Sequence, residues 1–120
     1  MADPNVTPGK TTIAPDVLLA IMRLEALKVP GVHGLAPVPG AVNRFLRRQE
    51  EGVRLQIHED DVVDVDVYVI LDGRQNIRQV SRELQKALAQ ALERMLGMTP
   101  GRINVHIEDI EFPEPDPEDE

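Results

Sequence analysis

The segment VVDVDVYVIL at residues 62–71 alternates apolar and polar side chains at almost every step. A strand with this period of two buries one face of its sheet and leaves the other face in water. The same alternation is present at residues 53–58 and again at 103–108, and a long helical pattern separates the last two strands. The sequence therefore predicts one compact ββαβ unit that contains few reactive side chains.

Two amphipathic helices complete the predicted unit. The first begins at Pro15, whose fixed φ suits a first helical turn. Its apolar residues recur at three- and four-residue steps and predict a buried stripe of Val17, Ile21, Leu24 and Leu27. The second helix begins at the N-cap Asn76 and stops at Gly97. Its predicted buried face comprises Ile77, Val80, Leu84, Ala87, Leu88, Ala91 and Met95, widened by Leu92 and Leu96.

The order α-β-β-α-β, with both helices on one face of a small sheet, predicts an α+β two-layer sandwich. A short extended segment over residues 32–36 is expected to hold the first helix against the rest of the domain. Direct pairing around the acidic tip at 59–61 places Arg54 opposite Asp66, a cross-strand charge pair worth ~0.2–1 kcal/mol. Alternation leaves open whether the last strand pairs with the first or the second long strand.

Length and charge predict a single domain with two flexible ends. The net charge of −8 is concentrated in residues 111–120, which carry six acids and no base, and −2 remains for residues 1–110. We therefore expect a flexible N-terminus over 1–11, the α+β domain over 12–112 and a disordered acidic, proline-rich tail over 113–120.

Several function classes are disfavoured by the residues themselves. The chain has no cysteine, which excludes disulfides and thiolate chemistry. It carries no phosphate loop, dinucleotide turn or metal-spaced histidine motif, and its one serine, Ser81, falls inside a helix. No stretch approaches the ~20 apolar residues of a membrane span, and no signal peptide is evident. We expect a cytosolic protein that is not an enzyme and uses no cofactor or metal.

The open face of the sheet is the first candidate site. If the pleat is regular, it carries His58, Asp64, Asp66, Tyr68, His106 and Glu108. Two histidines with carboxylates could bind a metal or do acid–base work, but a solvated face neither shifts pKa values nor excludes water. An interaction or oligomer face is the favoured functional interpretation, with plain solvated surface as the alternative. Its expected contact residues are Arg54, Asp66, Tyr68 and His106.

The irregular segment 37–51 carries the second candidate, the basic cluster Arg44, Arg47 and Arg48. Arginines in a loop are often only solvated, but this cluster could also contact an anion, a membrane surface or RNA. RNA binding is disfavoured because Tyr68 is the only aromatic residue on the open face and lies among aspartates.

The order of several short motifs is similar to a known family. These motifs are IAPDV at 13–17, VPGVHGL at 29–35, GVRL at 52–55, the valine-rich strand at 62–70, NI at 76–77, MLGM at 95–98 and INVHI at 103–107. Over residues 12–112 the chain resembles the bacterial alkaline shock protein family, also called the envelope stress response family.

That resemblance implies a small, cytosolic, non-enzymatic protein linked to homeostasis of the cell envelope. Some members are held at the membrane by an integral membrane partner and self-associate there, and no catalytic residues are assigned. We therefore expect an adaptor or scaffold in the envelope stress response, cytoplasmic or peripheral at the inner face of the membrane. An RNA-binding or regulatory module that uses Arg44, Arg47 and Arg48 is the alternative. The partner, the oligomeric state and the inducing stress stay open.

Overall fold

A computed structural model describes residues 9–40 and 52–113 of the chain. The elements in order are α1 (Pro15–Leu27), β1 (Val32–Leu35), β2 (Val53–Ile57), β3 (Val62–Asp72), α2 (Ile77–Arg94) and β4 (Thr99–Glu111), with a 3-10 turn at Glu59–Asp61. The predicted α+β class is confirmed, and the expected extended piece after the first helix is β1. The flexible N-terminus and the acidic tail lie largely outside the described residues and stay predictions.

Strand β3 lies at the centre of the four-stranded sheet. Strand β4 runs parallel to β3 along one edge, from the pair Val62–Thr99 to the pair Asp72–Glu111. On the other edge β3 pairs antiparallel with β2 through its first half and with β1 through its second half. The last strand therefore joins the second long strand, and the sheet is mixed.

The predicted hairpin register is confirmed. Arg54 pairs with Asp66 and Gln56 pairs with Asp64. The His58 N–H donates to the Val62 carbonyl at 2.7 Å across the turn. Within the turn, Asp60 and Asp61 have φ values of 61° and 58°, a left-handed conformation that aspartate tolerates better than most residues.

The helix-facing side of β3 forms the centre of the hydrophobic core. Its residues Val63, Val65, Val67, Val69 and Leu71 are all fully buried. Against them pack fully buried residues of both helices and of β2, namely Leu18, Met22, Leu84, Leu88, Leu92 and Val53. One strand thus supplies the apolar surface that both helices cover.

The stripe predicted to be buried on α1 is wrong at three of its four residues, whereas the fourth, Ile21, is partly buried against the core. Val17, Leu24 and Leu27 are 47%, 56% and 42% exposed. The residues that α1 buries are instead Leu18, Leu19, Met22 and Ala26. Because α1 is apolar on more than one side, its sequence offers two stripes with helical spacing, and only packing against the sheet selects between them.

The face predicted for α2 is confirmed over most of its length. Val80, Leu84, Leu88, Ala91 and Leu92 are buried. The Asn76 side chain accepts a hydrogen bond from the Gln79 N–H at 3.0 Å, as expected of an N-cap. Met95 is the exception at 57% exposed, because the helix ends at Arg94 and Met95 is its C-cap.

A buried and an exposed position on the helix-facing side of the sheet should respond differently to an introduced charge. Val67→Asp should prevent folding, because an unpaired charge at this fully buried site costs several kcal/mol, roughly comparable with the ~5–15 kcal/mol stability of a small domain. Ile57→Asp is the matched control on the same side of the sheet, where Ile57 is 45% exposed. Circular dichroism should show an unfolded Val67→Asp protein and a folded control. A folded Val67→Asp protein would contradict the assigned core.

Candidate functional site

The face of the sheet opposite the helices carries an ordered group of polar side chains around Asp66. The carboxylate Oδ1 accepts from His106 Nε2 at 2.8 Å and from Asn104 Nδ2 at 3.2 Å. Its Oδ2 lies 3.5 Å from an Nη of Arg54. We call Arg54, Asp66, Tyr68, Asn104 and His106 the sheet-face cluster.

The strand register explains why these side chains meet. Asp66 pairs with Arg54 on β2 and with Asn104 on β4, so a donor stands on each side of the carboxylate. His106 follows Asn104 by two residues on the same face and pairs with Tyr68. The cluster therefore draws on three adjacent strands, and its geometry follows from their pairing.

Tyr68 is the buried member of the cluster. Its ring stacks on the His106 imidazole with the centroids 4.4 Å apart and the planes inclined by 12°. Tyr68 is only 6% exposed and packs with Ala36, Val38 and Ile70. The expectation of a fully solvated face is therefore wrong at Tyr68, because the chain that follows β1 contributes Ala36 and Val38 to a second small apolar cluster on this side of the sheet.

Two further histidine–carboxylate pairs flank the cluster. His58 Nε2 lies 2.7 Å from Asp64 Oδ2, and His33 Nε2 lies 2.7 Å from Glu111 Oε2. His58 and His106 thus belong to separate pairs, and the described part of the chain holds no group of three ligands suited to a metal ion. Glu108 lies at an irregularity of the β3–β4 register and stands outside the cluster.

Of the residues proposed from the sequence, the structure brings together Arg54, Asp66, Tyr68 and His106. The arginines Arg44, Arg47 and Arg48 lie outside the described residues. Sequence reasoning missed Asn104, although its place two residues before His106 in an alternating strand was a usable signal. It also missed Arg102, whose backbone N–H donates to Asp64 Oδ1 at 2.7 Å.

Hydrogen bonds to the carboxylates favour their ionised form. Partial burial opposes ionisation of Asp66, but the bonds from His106 and Asn104 and the charge of Arg54 outweigh it and lower the pKa below the ordinary 3.8. The Arg102 N–H and the His58 side chain lower the pKa of Asp64 in the same direction. Both carboxylates are therefore fixed acceptors at neutral pH.

The side chains of the cluster are partly exposed. Three grooves that run along α2 are lined by residues other than those of the cluster. The side chains of Arg54 and His106 are 45% and 39% exposed. An arrangement of this kind can present fixed donors and acceptors to another molecule, but it does not exclude water from a reacting group.

The fold and the cluster together define a small α+β domain with a group of mutually bonded polar side chains on its sheet. The chain belongs to the alkaline shock protein 23 family, described as having a cell envelope-related function, and matches it over residues 4–112. No helix in the described ranges is long and apolar enough to cross a lipid bilayer.

Curated relatives come from two bacteria. The uncharacterized protein Spy1535 of Streptococcus pyogenes is 32% identical over 111 residues, which cover 90% of this chain and 86% of the relative. The uncharacterized protein YqhY of Bacillus subtilis is 32% identical over 107 residues, covering 87% of this chain and 78% of the relative.

Solved structures of the MamM CTD share the fold. One variant superposes with a TM-score of 0.56 at 16% identity and covers 82% of this chain and all of that domain. The copper form superposes with a TM-score of 0.51 at 17% identity, with coverage of 84% and 91%. At this identity the likeness concerns the fold alone.

The lowered pKa of Asp66 predicts a defined loss of stability in acid. Because the folded pKa lies below the unfolded one, ionised Asp66 stabilises the fold above the unfolded pKa, and this contribution is lost as the pH falls through the folded pKa. Between about pH 5 and about pH 2.5, Asp66→Asn should therefore lose less unfolding free energy than the wild type. Urea titrations at both pH values measure the difference.

Glu108→Gln is the control for that measurement, because it removes one acidic group from β4 without touching the cluster. It should lose stability in acid as steeply as the wild type does. If the stability of Asp66→Asn and that of the wild type depended equally on pH, the contacts of Asp66 with His106, Asn104 and Arg54 would not stabilise its ionised form.

Proposed function

We propose that this protein is a non-enzymatic adaptor in bacterial cell-envelope homeostasis or stress response, and that it binds a protein partner through the sheet-face cluster. The observation that carries the proposal is the fixing of Asp66 and His106 by several contacts each, on an exposed face of a rigid sheet. The cell envelope-related function of the family supports the cellular context.

Preorganisation is the physical argument for binding at this surface. A side chain that is already held in one conformation loses little conformational entropy when a partner docks against it. His106 is held by Asp66 on one side and by the Tyr68 ring on the other. Arginine and tyrosine are also among the residues that most often dominate binding energy at protein interfaces. Arg54 and His106 remain accessible beside a tyrosine that fixes their surroundings.

Recognition of a polar partner surface fits the chemistry of the cluster. The Arg54 guanidinium can donate to a partner carboxylate or carbonyl in addition to its contact with Asp66. The His106 ring offers its second nitrogen and an exposed edge. We propose that the partner is a protein, in the simplest case an integral membrane protein, which would place this chain in the cytoplasm and peripherally at the inner face of the membrane.

Affinity capture from the native cell tests the cluster as the docking surface. Arg54→Glu and His106→Ala should each reduce recovery of specifically captured proteins about ten-fold, since truncation of a dominant interface residue costs about 2 kcal/mol. Arg82→Glu is the matched control, because it reverses the same charge on the exposed side of α2. Quantitative mass spectrometry of the captured proteins provides the comparison, and thermal melts check that each variant is folded.

The proposal fails if the cluster variants capture the same proteins in the same amounts as the wild type and the Arg82→Glu control. Equal loss in Arg54→Glu and Arg82→Glu would also contradict it, because the effect would then follow the net charge of the chain and not the position of the substituted residue.

A vesicle-binding assay distinguishes binding to a protein partner from direct contact with the membrane. Three arginines supply about 1 kcal/mol each toward an anionic surface, which is too little for stable anchoring. The purified protein should therefore bind vesicles of phosphatidylserine and phosphatidylcholine weakly at physiological salt, while membranes from the native cell retain it. Charge reversal of Arg44, Arg47 and Arg48 should change that retention only slightly. Tight binding to the vesicles, lost in the triple variant, would overturn the partner proposal.

A further inference from the structure

The groove between α2 and β4 combines basic and apolar side chains. It is lined by Ile77, Arg78, Ser81, Arg82, Gln85 and Ile107. We call it the arginine groove. Arg78 and Arg82 stand one helical turn apart on α2, and both are exposed. The Gln85 side chain donates to the Ile103 carbonyl at 3.0 Å, which ties α2 to β4 along the groove. The groove is therefore a fixed feature of the contact between helix and sheet.

The two arginines of this groove carry charges that the described part of the chain leaves unneutralised. The guanidinium groups of Arg78 and Arg82 meet no carboxylate of the described residues. By contrast, Arg74 pairs with Asp72 at 3.1 Å, and Glu83 lines two other grooves of α2. Like charges four residues apart destabilise a helix, and the first turn of α2 holds no acid that would offset them. The arginine groove is therefore suited to an anionic ligand.

The acidic tail over 113–120 begins beside this groove. Strand β4 ends at Glu111, whose carbonyl accepts from the Gly73 N–H at 2.9 Å. The ring of Phe112 lies against Gly73, where an added side chain would collide with it. Gly73 comes three residues before Asn76, the N-cap of α2. These contacts place the origin of the tail next to the first turn of α2.

The length and the charge spacing of the tail fit the groove. Its eight residues can extend to roughly 26 Å, whereas the step along α2 from Ile77 to Arg82 is only about 7.5 Å. Prolines alternate with acids over 113–118. In an extended chain the acids would form one row and the prolines another on the opposite side. The acids would repeat every ~6.6 Å, close to the ~6 Å that separates the two arginines along the helix.

We propose that the acidic tail binds in the arginine groove of its own chain. Its acids meet the guanidinium groups of Arg78 and Arg82, and its prolines face the apolar side chains Ile77 and Ile107. Exposed ion pairs are individually weak. The tether offsets this weakness, because a segment joined by a short linker has an effective concentration on the order of mM. The tail needs no fold of its own for such binding, in agreement with its composition.

The proposed contact goes beyond the adaptor function and does not depend on it. The arginine groove belongs to the helix side of the sheet, and the sheet-face cluster lies on the opposite face. A tail that fills the groove therefore leaves the cluster free, and it keeps external anions away from the two arginines.

Paramagnetic relaxation in NMR spectra of the full chain tests where the tail lies. Because the natural chain contains no cysteine, Glu120→Cys provides a single site for a nitroxide label. The label should broaden the amide signals of residues 77–85 more than those of β2, at the far edge of the sheet. This difference should shrink in about 1 M salt, where the Debye length is only ~3 Å. Absence of selective broadening would overturn the proposal and leave the groove to an external anion.

Charge reversal tests the two arginines as the groups that hold the tail. Arg78→Glu combined with Arg82→Glu should abolish the selective broadening of residues 77–85. Lys86→Glu combined with Arg94→Glu is the matched control, because it changes the net charge equally on the same helix and lies outside the arginine groove. The control should keep the broadening. Loss in both double variants would show an effect of net charge alone, and retention in both would show that the tail lies elsewhere.

The two proposals fail independently. Arg82→Glu should weaken binding of the tail and leave capture of a protein partner by the sheet face intact, because the two surfaces lie on opposite sides of the sheet. His106→Ala should do the reverse. Loss of both properties in either single variant would show that one surface serves both, which contradicts the separate assignment.

Discussion

Hydrogen bonding of β3 on both of its edges is the constraint on which the described fold depends. Strand β3 pairs with β4 along one edge and with β2 and β1 along the other, so it is the one described strand that pairs with each of the other three. Because side chains alternate along a strand, fixing β3 also fixes two surfaces. One is the valine face that both helices cover, and the other presents Asp66 and Tyr68 to the cluster.

The proposed docking surface lies on the sheet layer, and the core lies between the sheet and the helices. On the sheet layer, neighbouring strands hold Asp66 and His106 in a polar surface suited to a specific partner. On the helix layer, α1 packs Leu18, Leu19, Met22 and Ala26 into the core.

The parts of the fold that the sequence predicts are those set by local pattern. The alternation of apolar and polar residues predicts which face of β3 is buried. The opposite charges of Arg54 and Asp66 predict the register of β2 against β3, and the N-cap residue Asn76 predicts where α2 begins. The parts that it misses depend on tertiary contacts. The buried side of α1 is decided by the sheet beneath it, and burial of Tyr68 is decided by Ala36 and Val38. Pairing of β4 with β3 likewise has no local signal, so the meeting of His106 with Asp66 could be proposed from the sequence only as a shared face.

Site-specific photo-crosslinking in the native cell tests the sheet-face cluster as a docking surface most directly. A photoreactive amino acid would replace His106 or, as a control outside the cluster, Met95, which is 57% exposed. The account predicts a cross-link to a different protein from position 106 and little product from position 95. No cross-link from position 106, or the same product in equal amount from position 95, would contradict it.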